Sequence, residues 1–153
     1  MILIEPDATK SFKASALRKR ELSRFLNAAQ KAAKLRGRVD VLLTDDAGIK
    51  RLNRDFRKKN KATDVLSFPA FAPPGLKSPM AGDLAISLDT ASRQAESFGH
   101  TLEVELRILM LHGLLHLTGL DHETDKGEMA ACEAALRVEL GLPTGLIQRS
   151  GTR

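Results

Sequence analysis

The sequence predicts an α+β domain: a small mixed β-sheet of about four strands with about five helices packed on it, one of them central and buried. Three observations carry that expectation. Short β-branched or leucine-rich runs alternate irregularly with stretches of helical spacing, not in the strict strand–helix rhythm of a parallel α/β fold. Residues from about Leu102 to Thr118 are apolar on nearly every side of a helical wheel, which calls for burial. The chain has 153 residues, 42% hydrophobic and 28% charged, enough for one core without covalent staples.

Met1 to Glu5 reads as a short apolar strand, stopped by Pro6. A helix is expected from about Ser11 to Leu35, with Phe12, Leu17, Leu22, Phe25, Leu26 and Ala29 near helical spacing and Gly37 beyond its end. Val39 to Leu43 has the composition of a strand. Thr44-Asp45-Asp46 then offers capping chemistry for a helix that carries Ile49, Leu52 and Phe56 on one face and ends near Lys59-Asn60. Thr63 to Phe68 reads as a strand closed by Pro69. From Ala70 to Ala81 three prolines and a glycine predict a loop or wide hairpin connection. Gly82-Asp83 leads into a strand, Leu84 to Ser87. Ser87 or Asp89 can cap a helix to about Phe98, and Gly99 separates it from the apolar helix. A last helix, about Thr124 to Leu140, meets Gly141-Leu142-Pro143. A single domain over residues 1–153 is expected, with a frayed tail from about 143.

The charge is unevenly spread. Residues 1–61 hold 17 Lys/Arg against 7 Asp/Glu, whereas residues 62–153 hold 7 against 12. A basic face for nucleic acid and a plain solvated lysine surface both fit that asymmetry. The single cysteine, Cys132, excludes an intramolecular disulfide and fits a reducing cytoplasm; among alanines it reads as a small buried side chain, not a ligand. The N-terminus lacks a signal pattern, and the longest apolar stretch is interrupted by Arg107 and histidines, so a cytoplasmic protein with no membrane span is expected.

Three of the four histidines stand in one stretch, His112 to His122, in the pattern H-x-x-x-H-x-x-G-x-x-H. Positions i and i+4 share a helix face, so His112 and His116 can aim at one point. Gly119 can turn the chain and return His122 toward it. A lone histidine on an apolar helix is usually a packed core residue, but three imidazoles in a leucine-rich segment cost desolvation unless each is paired or ligated. Three protein ligands leave one position of a tetrahedral ion open, the arrangement of a catalytic zinc. One Zn²⁺ is expected; imidazole sites also accept nickel and other divalent metals. His100 lies outside the pattern and suits a surface or capping position.

The spacing resembles that of the metzincin peptidases, and a zincin-like placement of ligands on a buried helix follows. There the residue after the first histidine is a glutamate base; here it is Gly113, which removes the proton-transfer group a peptidase needs. It costs the helix ~1 kcal/mol relative to alanine, which close approach of another backbone or of substrate would justify. A phosphodiester needs instead a cation for charge on its non-bridging oxygens, and arginine suits that. The densest basic run, Lys50 to Lys61, supplies Lys50, Arg51, Arg54, Arg57, Lys58, Lys59 and Lys61 as candidate RNA contacts; a solvated helix face is the competing account.

The histidine stretch, together with Leu52-Asn53-Arg54-Asp55-Phe56-Arg57, Thr63 to Pro69 and Gly82 to Ser87, resembles the YbeY family of bacterial rRNA maturation factors. The resemblance runs from about Val39 to Leu140. Leu120 and Phe56 stand where tyrosine is common, and neither change removes a ligand or a charge. The resemblance implies a single-strand-specific, metal-dependent endoribonuclease in 16S rRNA 3′-end maturation and late 30S/70S quality control, with ribosomal RNA, the small subunit and ribosomal or assembly proteins as partners. It implies zinc on His112, His116 and His122, with Arg57 as functional arginine. Arg57 would clamp phosphate, and metal-bound water would be nucleophile or activated base. Asp121 is either an outer partner of a ligand histidine or a turn cap. Two alternatives stay open: an assembly factor with a structural metal and no activity, and a hydrolase of peptides or small molecules.

Overall fold

Strand composition and alternation are realised as one mixed sheet in the computed structural model, which describes residues 1–9, 17–57, 64–70, 80–119 and 126–143, with backbone alone for Asp7, Thr9 and Arg57. Its strands are β1 (Ile2–Ile4), β2 (Arg38–Thr44), β3 (Val65–Pro69) and β4 (Met80–Ser87), in the order β1-β2-β4-β3. β1 runs parallel to β2 and β2 to β4, while β3 is antiparallel to β4 and pairs Ser67 with Leu84. The helices are α1 (Lys19–Ala32), α2 (Asp46–Arg57), α3 (Leu88–Phe98), α4 (Leu102–Leu117) and α5 (Glu128–Leu140). Pro6–Thr9 forms a 3₁₀ turn.

The period-two alternation of the strands sorts their side chains between two cores. Val39, Val41 and Leu43 of β2 and Leu84 and Ile86 of β4 face the main core. Leu66 and Ala85 face the other way, where Ile49 and Leu52 of α2 cover them with Phe68. The main core is built around α4, with α1 and α3 packed against it. Leu106, Ile108, Leu109, Met110, Leu111 and Leu114 are all fully buried, so every side of the helix meets protein. Truncating one such leucine to alanine costs ~2–5 kcal/mol in transfer and cavity energy. A helix fixed in this way is a rigid base for ligands.

A polar joint ties α2 to α3 where β2 and β4 end. Asp46 opens α2, and its Oδ1 accepts from Ser87 Oγ and Thr90 Oγ1, each at 2.6 Å. Its Oδ2 accepts from Arg93 Nη2 at 2.8 Å. Asp89 returns the bond by accepting from the Asp46 N–H at 3.0 Å. Burial by itself would raise the Asp46 carboxyl, but the bonds from Ser87, Thr90 and Arg93 outweigh it and hold the group below its ordinary value. Ser87 also caps α3, accepting from the Thr90 N–H at 3.3 Å; of the two caps the sequence offered, it is the one used.

Several boundaries differ from the sequence-based expectation. The first helix starts at Lys19, not Ser11, because Leu17 leaves the helical path to bury its side chain in the core; Phe12 lies outside the described residues. It also ends at Ala32, before Leu35. The last strand starts at Met80, four residues ahead of Leu84, since Met80 finds a ladder partner in Arg38 across a bulge that skips Ala81. The last helix starts at Glu128 rather than Thr124, after Gly127 in the left-handed conformation. The expected end of α2 at Lys59-Asn60, the start of β3 at Thr63, and the tail from 144 lie outside the described residues. Among those described, no helix is long and apolar enough to cross a membrane.

Candidate metal centre

His112 and His116 sit one turn apart near the C-terminal end of α4, the first buried and the second half-buried. The helix is anchored at its other end by Thr101, whose hydroxyl accepts from the Val104 N–H at 3.2 Å. Beyond the histidines Thr118 closes it, and Gly119 takes a φ of +98°, which a side chain would resist; its N–H donates to the His116 carbonyl at 3.0 Å. The chain therefore turns where the sequence placed the turn. His122 and Asp121 follow immediately and lie outside the described residues.

Gly113 has a packing reason. A Cβ built on it would stand 2.7 Å from Leu84 Cδ2 and 3.0 Å from Leu84 Cδ1, so a larger residue would force Leu84 or the helix to shift. Its carbonyl also accepts from the buried Ser67 Oγ of β3 at 3.2 Å. The backbone between the two histidines is thus pressed onto one strand and bonded to the next. The close approach expected for this glycine is made by protein.

The two imidazoles meet edge to face, with ring centroids 4.8 Å apart and Nε2 to Nε2 at 3.3 Å. Metal–nitrogen bonds of about 2.0–2.1 Å place two corners of a tetrahedron roughly 3.3–3.4 Å apart. The nitrogens are thus already spaced as two ligands of one ion. The opposite nitrogen of His112, Nδ1, lies 3.4 Å from Glu133 Oε1 of α5. Among the described residues, no group of three His, Cys, Asp or Glu side chains gathers around a metal position. These residues therefore fit a metal as a donor pair, with the expected third ligand, His122, in the stretch not described.

Of the basic candidates, Lys50, Arg51 and Arg54 are exposed on α2, where Arg54 Nε pairs with Asp55 Oδ1 at 3.1 Å. Arg57 is the last residue of that helix. Lys58, Lys59 and Lys61 lie outside the described residues. His100 is half-buried, and its Nε2 lies 2.6 Å from the fully buried Glu105 Oε1. The capping expectation fits better, since its N–H donates to the Ala95 carbonyl and closes α3. Cys132 is partly buried against the main core.

Glu133 and Arg137 were not among the sequence candidates. Their signal was faint but present: Met129, Glu133, Leu136 and Leu140 fall at i, i+4, i+7 and i+11, so Glu133 interrupts the apolar stripe of α5.

The fold and site define an α+β protein with a histidine donor pair set into a central buried helix. Residues 5–141 match the family model described as Endoribonuclease YbeY, so the chain belongs to the endoribonuclease YbeY family, a family of nucleases. It is 56% identical over 135 residues to the endoribonuclease YbeY of Solibacter usitatus, covering 88% of each chain. To that of Koribacter versatilis it is 54% identical over 138 residues, covering 90% of this chain and 88% of the other. The solution structure of TM1509 from Thermotoga maritima shares the fold at a TM-score of 0.57 and 28% identity, covering 92% of this chain and 89% of that one.

Proposed function

We propose that this chain is a metal-dependent endoribonuclease that cuts single-stranded RNA, and that its cellular substrate is the 3′ end of 16S ribosomal RNA during maturation and late 30S/70S quality control. The observation that carries the reading is the Nε2 pair at 3.3 Å on a buried helix, in a chain of this nuclease family. His112 and His116, with His122 as third ligand, would hold one Zn²⁺ or another divalent ion. When bound, such an ion lends Lewis acidity and makes a hydroxide nucleophile available near neutral pH.

The protein's own share of the work is positional. α4 holds two donors at fixed spacing, and Gly113 keeps them tight against the sheet. His116 is half-buried, which leaves the pair approachable from solvent. Arg57, at the end of α2, would clamp the scissile phosphate and balance charge on its non-bridging oxygens. Lys50, Arg51, Arg54, Lys58, Lys59 and Lys61 would hold flanking phosphates, and Asp121 would steady a ligand. Ribosomal RNA and the small subunit are the partners this implies, in the cytoplasm.

The test combines metal analysis of purified protein with cleavage of a single-stranded RNA by wild type and Arg57→Ala. Expected are one equivalent of zinc in both, cleavage by wild type that a chelator abolishes, and none by the variant. Zinc-loaded wild type that leaves RNA intact would overturn the nuclease reading in favour of an assembly factor with a structural metal. Full cleavage by Arg57→Ala would remove the role given to Arg57. Binding to RNA should weaken steeply with salt if these cations neutralise phosphates.

A further inference from the structure

Buried charge on α5 converges on the donor pair from behind. Glu133 is 1% exposed and Arg137 2% exposed, on a helix otherwise rich in alanine and leucine. Glu133 Oε1 lies 3.4 Å from His112 Nδ1 and 3.5 Å from Arg137 Nη2, so one carboxylate oxygen is shared by an imidazole and a guanidinium. Arg137 is held in turn: its Nη1 donates to the Pro143 carbonyl, where the chain doubles back after Gly141 and the Leu142 N–H bonds the Arg137 carbonyl at 2.8 Å.

Burying a carboxylate and a guanidinium is costly unless each is paired, and removing one partner strands the other. The arrangement gives no obvious packing return, because an apolar residue at either position would extend the stripe of Met129 and Leu136. What it supplies is direction. A carboxylate at Nδ1 accepts the ring proton there, which leaves the Nε2 lone pair facing His116. The opposite tautomer would set Nδ1 and carboxylate lone pairs against each other in a buried space.

We propose that Glu133 is a positioning residue for His112, accepting its Nδ1–H and so presenting Nε2 as a donor, and that Arg137 holds Glu133 in place for this task. The inference rests on the metal reading above, but its first test does not. In metal-free full-length protein at mildly alkaline pH, side-chain nitrogen NMR should find His112 as the Nδ1–H tautomer. An Nε2–H ring would overturn the proposal whether or not the protein binds zinc, and an Nδ1–H ring in a protein that never binds zinc would fault the metal reading alone.

Zinc affinity, measured by competition with a chromogenic chelator, gives the second test. Glu133→Ala should weaken binding by about 10–100-fold, the usual effect of losing an outer partner. Glu133→Gln keeps an acceptor oxygen and should restore affinity to within a few-fold of wild type. Folded Glu133→Ala protein with wild-type affinity would overturn the proposal, and so would Glu133→Gln as weak as the alanine variant. Arg137→Met keeps length and burial, and should weaken zinc a few-fold; wild-type affinity there would remove the part given to Arg137.

Discussion

Two histidine–glutamate pairs engage the same helix in different settings. His100 meets Glu105 at 2.6 Å, five residues apart along the chain, where α3 gives way to α4. His112 meets Glu133 at 3.4 Å across 21 residues, and only because α5 packs beside α4. The difference lies in what else each ring meets. The His100 ring stacks face to face with Phe98, with ring centroids 6.3 Å apart and an interplanar angle of 16°. The far nitrogen of His112 faces a second imidazole at 3.3 Å. A carboxylate beside a histidine therefore says little by itself; what else the ring meets separates a strut from a candidate ligand.

The contrast can be broken most directly at the histidines. A His112→Ala/His116→Ala protein should lose zinc by more than the roughly 100-fold that removal of an outer partner costs, and RNA cleavage with it, whereas His100→Ala should keep full zinc stoichiometry by elemental analysis. Zinc lost equally from both would erase the distinction.

The strut is expected to matter for stability instead. Glu105→Ala removes the carboxylate from a half-buried ring and should lower the unfolding free energy by about 1–3 kcal/mol in urea titrations, with zinc affinity unchanged. Gly113→Ala sharpens the comparison from the backbone side. Overpacking against Leu84 costs ~1–3 kcal/mol, and the better helix propensity of alanine returns up to ~1 kcal/mol. A net loss of about 1–2 kcal/mol is expected, with a measurable fall in zinc affinity as the histidines move.

The smallest effect belongs to the joint away from both pairs. Asp46 is held below its ordinary value, so its contribution is present above the unfolded carboxyl value of about 3.9 and is lost as pH falls through the lower folded value. Asp46→Asn should cost less than ~1 kcal/mol at neutral pH, since the group is partly solvated. The gap to wild type should close below about pH 4. A gap that widened in acid would contradict the hydrogen-bond account.

What the sequence made legible follows from range. The i, i+4 histidines, the Gly119 turn, the Ser87 cap and the strand at Val39 to Leu43 are local patterns, and the fold keeps them. Gly113 was legible as a close approach but not as an approach to Leu84, since sequence spacing does not say which strand lies under a helix. The start of α1 was misplaced because Leu17 obeys the core rather than the helical period, and β4 was cut short because a bulge lets Met80 pair. Glu133 and Arg137 were missed for the deepest reason: their meaning depends on a neighbour 21 residues away that only packing supplies.

The glycine notch over Leu84 also acts as an index mark. Sliding α4 by one turn, ~5.4 Å, would bring Leu109 or Leu117 over Leu84 in place of a residue without a side chain, and neither fits so close a contact. The notch therefore favours the present axial seating of the helix. Because both histidines flank the notch, their height above the sheet is set by the same contact that holds the core together, as graduations on a rule are fixed by its zero.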